Sequence, residues 1–220
     1  MQKGKVFFNS IIIITVIALI SVIGYMAYYF ISNYIALKEA EQAVDEFENN
    51  VMVVAIEEEE TLGEGQEEAP PTSQETPTTN KTTANRTSTY KGYSMIGTIQ
   101  IPKTKVKAPI VDKVTPQSIS AAVATLYGPG LNQIGNTVLV AHNYRNGTFF
   151  SNNKNLVIGD KIYITDQTGQ KIEYSIYKTY TTSDTDFSYA TRDTNGKREI
   201  SLSTCTTDAS KRLVIWARET

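Results

Sequence analysis

The chain has 220 residues, of which 21 are basic and 23 acidic, for a formal net charge of −2. This balance excludes the basic excess typical of nucleic-acid-binding proteins, and we expect no nucleic-acid partner. A single cysteine excludes an intramolecular disulfide. One cysteine with one histidine is also too few for a structural zinc site, which normally needs four such ligands. We therefore expect neither a metal nor a cofactor.

The first 36 residues are typical of a membrane anchor. Lys3 and Lys5 precede a stretch without charged residues, 6–36, which is longer than the roughly 20 apolar residues that cross a bilayer. A cleaved signal peptide, the alternative, has an apolar core of only about 7–15 residues. The positive-inside rule then predicts a single-pass protein of the cell membrane, with a cytoplasmic N-terminus and an extracellular remainder.

Residues 37–89 are predicted to form a juxtamembrane helix followed by a disordered spacer. Apolar residues recur at roughly helical spacing within 36–56, and we expect a short helix there without a partner-binding role. The stretch 57–88 is rich in Glu, Thr, Pro and Gln and has too few apolar residues to offset the entropy of ordering. Such a spacer holds a domain away from the membrane surface.

The remaining residues, 90–220, are predicted to form one all-β domain, an antiparallel barrel or sandwich. The 13 tyrosines and the frequent Thr, Ile and Val favour strands. Seven clear runs of strand type lie at 95–101, 106–111, 136–141, 161–165, 171–180, 200–205 and 212–217. The one clear helix is predicted from Thr115, a good N-cap followed by a proline, through Ala124.

Three residues that can carry chemistry lie at the ends of strand-like runs. Cys205, the only cysteine, closes one run, and Arg212 opens the next after a tight polar connection. If these two runs pair as antiparallel neighbours, the thiol and the guanidinium lie near the same rim of the sheet. His142, the only histidine, ends the run 136–142.

Each of these residues also has an ordinary structural interpretation. Cys205 can be a small buried apolar residue, the commoner case, or half of an intermolecular disulfide. His142 can be a hydrogen-bonded histidine at a strand end, and Arg212 a surface charge. Their positions favour chemistry, because ligands usually enter a barrel at its rim and a thiolate needs a nearby base or cation. Arg212 also suits the stabilisation of an oxyanion in acyl transfer.

The motif at residues 201–205, Ser-Leu-Ser-Thr-Cys, resembles the signature of the sortases, the membrane-anchored cysteine transpeptidases of Gram-positive bacteria. The family motif is T-L-x-T-C followed by an arginine, which Arg212 matches, and Ser201 stands where threonine is usual. His142, within Ala-His-Asn, matches the third position of the signature. The resemblance extends over 90–220 and agrees with the N-terminal anchor.

The resemblance implies an eight-stranded β-barrel with one or two short helices, and cleavage of a Leu-Pro-x-Thr-Gly (LPxTG-like) sorting signal near the C-terminus of secreted proteins. Cys205 would attack the threonine carbonyl and form a thioester. His142 would serve as acid and base, and Arg212 would hold the substrate and stabilise the oxyanion. Ser203 and Thr204 would contribute substrate contacts. The acceptor amine would come from a peptidoglycan precursor or cross-bridge peptide or, in pilus-assembling members, from a lysine of another pilin.

The resemblance leaves the subgroup open between class B and class D. The Leu-Ser-Thr-Cys motif resembles class B, whereas the stretch 183–197 is short for the long helix of that class. Pilus polymerisation is the less favoured role, because no Asp-Pro lid dipeptide lies within 57–90. Some members bind calcium, but we interpret Asp184, Asp186 and Asp193 as solvated loop acids. The alternatives outside this activity are a cysteine hydrolase and a non-catalytic, membrane-tethered β-domain that binds cell-wall components.

Overall fold

The computed structural model describes the backbone of residues 2–62 and 88–220. The chain divides into two compact units, Met1–Glu39 and Ala40–Thr220. The first unit contains the N-terminal part of a long helix, α1 (Gln2–Leu62). The large apolar side chains described between 11 and 37 are exposed, and this part of α1 is long and apolar enough to cross a bilayer. The predicted apolar helix is therefore present, and its orientation across the membrane stays a prediction.

The second unit is a closed β-barrel. The described residues form nine strands: β1 (Thr89–Tyr90), β2 (Tyr93–Ile101), β3 (Val106–Val111), β4 (Val123–Tyr127), β5 (Gly135–Val140), β6 (Lys161–Asp166), β7 (Lys171–Ser183), β8 (Arg198–Cys205) and β9 (Lys211–Glu219). Their order in the sheet is β1-β2-β3-β4-β5-β8-β9-β7-β6, and β6 also pairs with β2. Eight strands therefore close on themselves, with β1 added beside β2. The predicted eight-stranded all-β barrel is confirmed.

The barrel is mixed rather than purely antiparallel. β3 pairs with β4 in parallel, and β5 pairs with β8 in parallel, whereas the remaining pairs are antiparallel. The prediction of an antiparallel sheet was wrong at these two places, because the strands that meet there do not follow one another through a simple hairpin. One consequence is that β5 and β8 end at the same rim.

The barrel interior is filled by branched aliphatic side chains from successive strands. Leu139 of β5 lies opposite Leu202 of β8, which in turn lies opposite Ile215 of β9. All three are at most 1% exposed. Since strand residues alternate between the two faces of a sheet, this row fixes which neighbouring residues face outwards. Burial of each such side chain stabilises the fold by about 1.5–3 kcal/mol.

The helix predicted from Thr115 through Ala124 is much shorter in the structure. The Thr115 Oγ1 accepts a hydrogen bond of 2.9 Å from the Ser118 backbone N–H, but the helix, α2, covers only Ser118–Ala121, with Gln117 at its N-cap. β4 begins at Val123, where the chain pairs in parallel with β3 and is fully buried. Tertiary pairing has therefore overridden local helix propensity.

The part of α1 in the second unit packs against the barrel, which the sequence did not predict. Ala40, Val44 and Phe47 lie three or four residues apart, so they share one helix face, and they are 7%, 0% and 2% exposed. Phe47 packs in a cluster with residues of β2, β3 and β4 and of the chain between α2 and β4. α1 also continues through Leu62, into the first residues of the predicted spacer. The rest of that spacer, 63–87, lies outside the described residues.

The carboxylate of Glu48 adds polar contacts between this helix and the barrel surface. Glu48 accepts hydrogen bonds from the hydroxyl of Thr98 at 2.7 Å, the amide of Gln100 at 3.0 Å and the hydroxyl of Thr165 at 3.2 Å. The donors lie on β2 and β6, the two strands whose pairing closes the barrel. Hydrogen bonds to a charged acceptor are among the stronger ones, so Glu48 fixes the register of the helix on the sheet.

Candidate active site

Strand pairing places Cys205 directly opposite Arg212. Cys205 ends β8, Arg212 lies near the start of β9, and the two are antiparallel partners. The intervening turn is closed by a hydrogen bond of 2.9 Å from the Thr206 backbone N–H to the Lys211 carbonyl. The guanidinium Nη1 of Arg212 donates to the Cys205 Sγ. Both side chains are half-buried, so the sulfur and the cation are in contact and accessible from solvent.

His142 reaches the same rim through the parallel pairing of β5 and β8. The last pair in that ladder is Val140 with Ser203, and His142 and Cys205 each lie two residues further along the chain. Because parallel strands end at the same edge of a sheet, the two residues emerge together. His142, Cys205 and Arg212 all line one cleft of about 240 Å³. The structure therefore brings together the three residues that the sequence singled out.

The imidazole of His142 lies in a partly buried and electropositive setting. Burial, and secondarily the positive charge of Arg212, hold its pKa below the usual value of 6.5. The ring packs against that of Tyr144, with centroids 4.9 Å apart. Both causes act against the protonated form, so His142 is mainly neutral at neutral pH. A neutral imidazole can accept a proton from a nearby thiol.

Ser203 and Thr204 line the cleft, but their hydroxyl groups bond within the protein. The Thr204 Oγ1 donates to the Ala141 carbonyl at 2.8 Å, and the Ser203 Oγ lies 3.1 Å from the Tyr189 hydroxyl. Both residues are at most 4% exposed. Their contribution in this structure is to hold the walls of the cleft in place.

The walls of the cleft are apolar, and the sequence analysis missed the residues that form them. Val114, Ile119 and Leu126, from the chain between β3 and β4 and from β4, line the cleft. Phe187 and Tyr189, from the connection between β7 and β8, also line it. Phe187 is 52% exposed and Leu126 is 37% exposed. Exposed apolar side chains beside a reactive group provide a site for an apolar ligand side chain.

A buried polar network fixes the connection that carries Phe187 and Tyr189. Arg192 and Glu199 form an ion pair whose side chains are only 10% and 4% exposed. Arg192 also donates to the Oδ1 of Asn136 at 3.0 Å, and the Nδ2 of Asn136 donates to the Tyr189 carbonyl at 2.9 Å. The network ties this connection to β5 and β8 at Tyr189 and Arg192, which lie next to the cleft wall.

The acidic residues of the same connection are occupied by local hydrogen bonds. Asp186 accepts from the Thr182 hydroxyl and from the Ser188 backbone N–H, and these bonds hold its pKa below the usual value. Asp193 accepts from the Asn195 backbone N–H at 2.7 Å. Across the part of the chain that the structure describes, no group of three or more His, Cys, Asp or Glu side chains is arranged to hold a metal ion.

Comparison with known proteins agrees with this architecture. A family model described as the sortase domain matches residues 99–220, and a sequence search of curated proteins gives no match. Sortase A from Corynebacterium diphtheriae, in a lid-mutant structure, is 27% identical, with a TM-score of 0.53 over 58% of this chain and 71% of that one. A pilus-related sortase C of Group B Streptococcus is 29% identical, with a TM-score of 0.53 over 57% of this chain and 67% of that one.

A third structure shares the fold over a greater length. The sortase D5 transpeptidase of Clostridium perfringens has a TM-score of 0.59 over 83% of this chain and 99% of that one, at 20% sequence identity. The family model alone covers more than half of the chain. With the closed eight-stranded barrel and the match over 99–220, the chain belongs to the sortase family.

Proposed function

We propose that this protein is a membrane-anchored cysteine transpeptidase that cleaves an LPxTG-like sorting signal and transfers the acyl group to a cell-wall peptidoglycan amine. The observation that carries the proposal is the meeting of Cys205, His142 and Arg212 along one cleft at one rim of the barrel. The membership of the chain in the sortase family supports the same chemistry.

The first half-reaction forms a thioester. The sulfur of Cys205 attacks the carbonyl carbon of the signal's threonine, and the thiol proton passes to His142. Arg212 donates hydrogen bonds to the oxygen that becomes negative in the tetrahedral intermediate. When the intermediate collapses, the bond from carbon to the glycine nitrogen breaks. His142 then returns its proton to that nitrogen, so a neutral amine leaves.

The second half-reaction transfers the acyl group to the acceptor. The nitrogen of a peptidoglycan precursor or cross-bridge peptide attacks the thioester carbon, and His142 accepts the proton that the nitrogen loses. The sulfur of Cys205 leaves as the new amide bond forms, and His142 returns the proton to it, which restores the starting enzyme. Attack by water at the same carbon gives hydrolysis as a side reaction.

The cleft walls supply a basis for recognition of the signal. The leucine of the signal is apolar, and Leu126 and Phe187 offer it exposed apolar surface beside the sulfur of Cys205. Ser203 and Thr204 support substrate contacts indirectly, since their buried side chains fix the wall next to Cys205. The apolar part of α1 holds the enzyme in the membrane, with the N-terminus in the cytoplasm and the barrel outside the cell.

The decisive experiment is mass spectrometry of the full-length protein after incubation with a library of five-residue sorting signals. The expected result is a covalent adduct on Cys205 whose mass ends at the threonine of the signal, and its absence in Cys205→Ala. Addition of a peptide amine should convert the adduct into a transfer product. Products formed only with water would indicate a hydrolase. Transfer only to a pilin lysine would indicate pilus polymerisation, and cleavage by Cys205→Ala at the parental rate would exclude the cysteine mechanism.

A further inference from the structure

Two side-chain hydrogen bonds continue the contact between β5 and β8 after the backbone ladder ends. The last backbone pair is Val140 with Ser203. Beyond it, the Thr204 Oγ1 donates to the Ala141 carbonyl at 2.8 Å, and the Nδ2 of Asn143 donates to the Cys205 carbonyl at 3.0 Å. Since the backbone ladder no longer joins the two segments here, these two side-chain hydrogen bonds set the distance between the segment after β5 and the end of β8.

The amide of Asn143 is fixed at both of its polar atoms. Its Oδ1 accepts a hydrogen bond of 3.2 Å from the Arg145 backbone N–H, in a turn where Arg145 has a positive φ of 60°. Its Nδ2 faces the Cys205 carbonyl, which can only accept. A reversed amide would place the oxygen against a carbonyl and the NH₂ against an N–H, so only one orientation satisfies both contacts. The side chain therefore connects the turn at Arg145 to the backbone of Cys205 in one orientation. Asparagine readily forms such a turn with the backbone two residues ahead.

This link joins the residue after His142 to the backbone of Cys205. The bond from Thr204 reaches the residue before His142, so the histidine lies between two fixed points on β8. We propose that Asn143 is a positioning residue that sets the distance between the imidazole of His142 and the sulfur of Cys205. This inference rests on the proposed function. Asn143 contacts the carbonyl of Cys205 and not its sulfur, so it acts through these two residues.

The test compares the full-length parent protein in detergent with Asn143→Ala, Asn143→Asp and Asn146→Ala. Asn143→Asp keeps the acceptor for the Arg145 backbone N–H but lacks the donor to Cys205. Asn146 is the matched control: it lies in the same loop, and its Oδ1 accepts from the backbone N–H and hydroxyl of Thr148 at 3.0 and 2.7 Å.

The first measurement is cleavage of the best peptide from the sorting-signal library. Misplacement of a reacting group by about 1 Å can cost about 100-fold in rate, so we expect both Asn143 variants to lower kcat at least about tenfold with little change in KM. Asn146→Ala should stay within about twofold of the parent, since it leaves the link between β5 and β8 intact.

The second measurement is the pKa of His142 by NMR, which is unambiguous because the chain has one histidine. The titratable and charged residues that line the cleft together with His142 are Cys205 of β8, Arg212 of β9 and Tyr189 of the connection between β7 and β8, and the ring of Tyr144 packs against the imidazole. Loss of the link should let water reach the ring, so in Asn143→Ala the pKa should rise towards 6.5. Asn146→Ala should leave it at the parental value.

The outcomes separate this inference from the proposed function. Loss of kcat in both Asn143 variants, with the His142 pKa raised in Asn143→Ala, supports the positioning role. If Asn143→Ala matches Asn146→Ala in kcat and in the His142 pKa, the positioning role is excluded while the transpeptidase proposal stands. If Cys205→Ala cleaves at the parental rate, the proposed function itself fails. If Asn143→Ala does not fold, the kcat of Asn143→Asp alone tests the positioning role, because aspartate keeps the acceptor for the Arg145 backbone N–H and so keeps the turn.

Discussion

His142 and Cys205 each lie two residues beyond the last pair of the parallel ladder between β5 and β8. Two residues that are far apart in the chain thus emerge at the same level of the barrel rim. The parallel register of β5 and β8 brings the two residues to this level, and a shift by one residue would turn one of the two side chains to the other face. The geometry of the candidate site is therefore a consequence of strand pairing in the barrel core.

Arg212 is expected to matter most in the transition state. Arg212→Ala should lower kcat/KM for peptide cleavage by about 100- to 1,000-fold, the usual cost of losing one oxyanion donor. Arg212→Lys keeps the charge without the planar fork and should recover part of the loss. Steady-state kinetics measures both. Lys211→Ala, a change of the exposed neighbour on β9, is the control, and equal rates in Arg212→Ala and Lys211→Ala would contradict the role of Arg212.

His142 should titrate below 6.5, because burial and then Arg212 disfavour its charged form. Folding therefore favours the neutral imidazole. The resulting stability is present above the unfolded-state pKa of about 6.5 and is lost as the pH falls through the lower folded-state pKa. NMR titration measures the value directly. In Arg212→Ala the pKa should rise but stay below 6.5, since burial is the larger cause. A parental pKa above 6.5 would show that the ring is not desolvated.

Phe187 is expected to contribute to substrate binding. It is 52% exposed on the cleft wall, so its removal should cost little stability. Phe187→Ala should raise KM for the sorting-signal peptide by about tenfold, equivalent to about 1.4 kcal/mol, with kcat nearly unchanged. Ile158→Ala is the control, because Ile158 is 68% exposed and does not line the cleft. An unchanged KM in Phe187→Ala would show that Phe187 does not contribute to substrate binding.

The packing of α1 on the barrel predicts an effect on the stability of the fold. Phe47 is 2% exposed within an apolar cluster, and Phe47→Ala should lower the free energy of unfolding by about 3 kcal/mol. Met52, on the same helix, is 62% exposed, so Met52→Ala should change stability by less than about 0.5 kcal/mol. Urea unfolding of the full-length variants in detergent provides the comparison. Equal midpoints for the two variants would show that the helix is not docked.

Glu48 should contribute to the stability of the fold by accepting hydrogen bonds from two buried hydroxyl groups. Glu48→Ala leaves the buried hydroxyls of Thr98 and Thr165 without this acceptor, at a cost of about 1–3 kcal/mol. Asp45 is the control: it bonds Lys107 from a side chain that is 61% exposed, so Asp45→Ala should cost at most about 1 kcal/mol. Urea unfolding measures both variants. A larger loss of unfolding free energy in Asp45→Ala than in Glu48→Ala would show that Asp45, and not Glu48, is the main polar contact of the helix with the barrel.

Strand content and strand ends were predictable because they depend on local patterns. Turn signals and apolar runs placed β5, β8 and β9 closely enough to locate His142, Cys205 and Arg212 at their ends. The helix predicted from Thr115 through Ala124 was wrong at both ends, since α2 covers only Ser118–Ala121 and local signals do not show where pairing with another strand takes over. The sequence could not have shown that Val123 joins β3 in parallel.

Contacts between distant segments were not readable from the sequence. Glu48 and Thr98 are separated by 50 positions, and a lone glutamate on a helix gives no sign of the hydroxyl it will meet. Phe187 lies in a polar connection without a periodic pattern. Asn143 carried a weak signal: an asparagine directly after the lone histidine, followed two residues later by Arg145 in the turn, is typical of a residue that bonds its own backbone.

The pairing of β6 with β2 closes the sheet, so each of the eight barrel strands in the described part of the chain has a neighbouring strand on both sides. Many proteins hold an extended peptide by adding it to an open edge, where the main chain gives affinity whatever the peptide sequence. Closure leaves to that route only the short stretches that extend beyond their second pairing, such as 106–109 of β3. Under the proposed function, a peptide signal is recognised mainly by side chains at the rim, so a few substitutions in the loops can change the signal that is recognised while the barrel backbone stays the same.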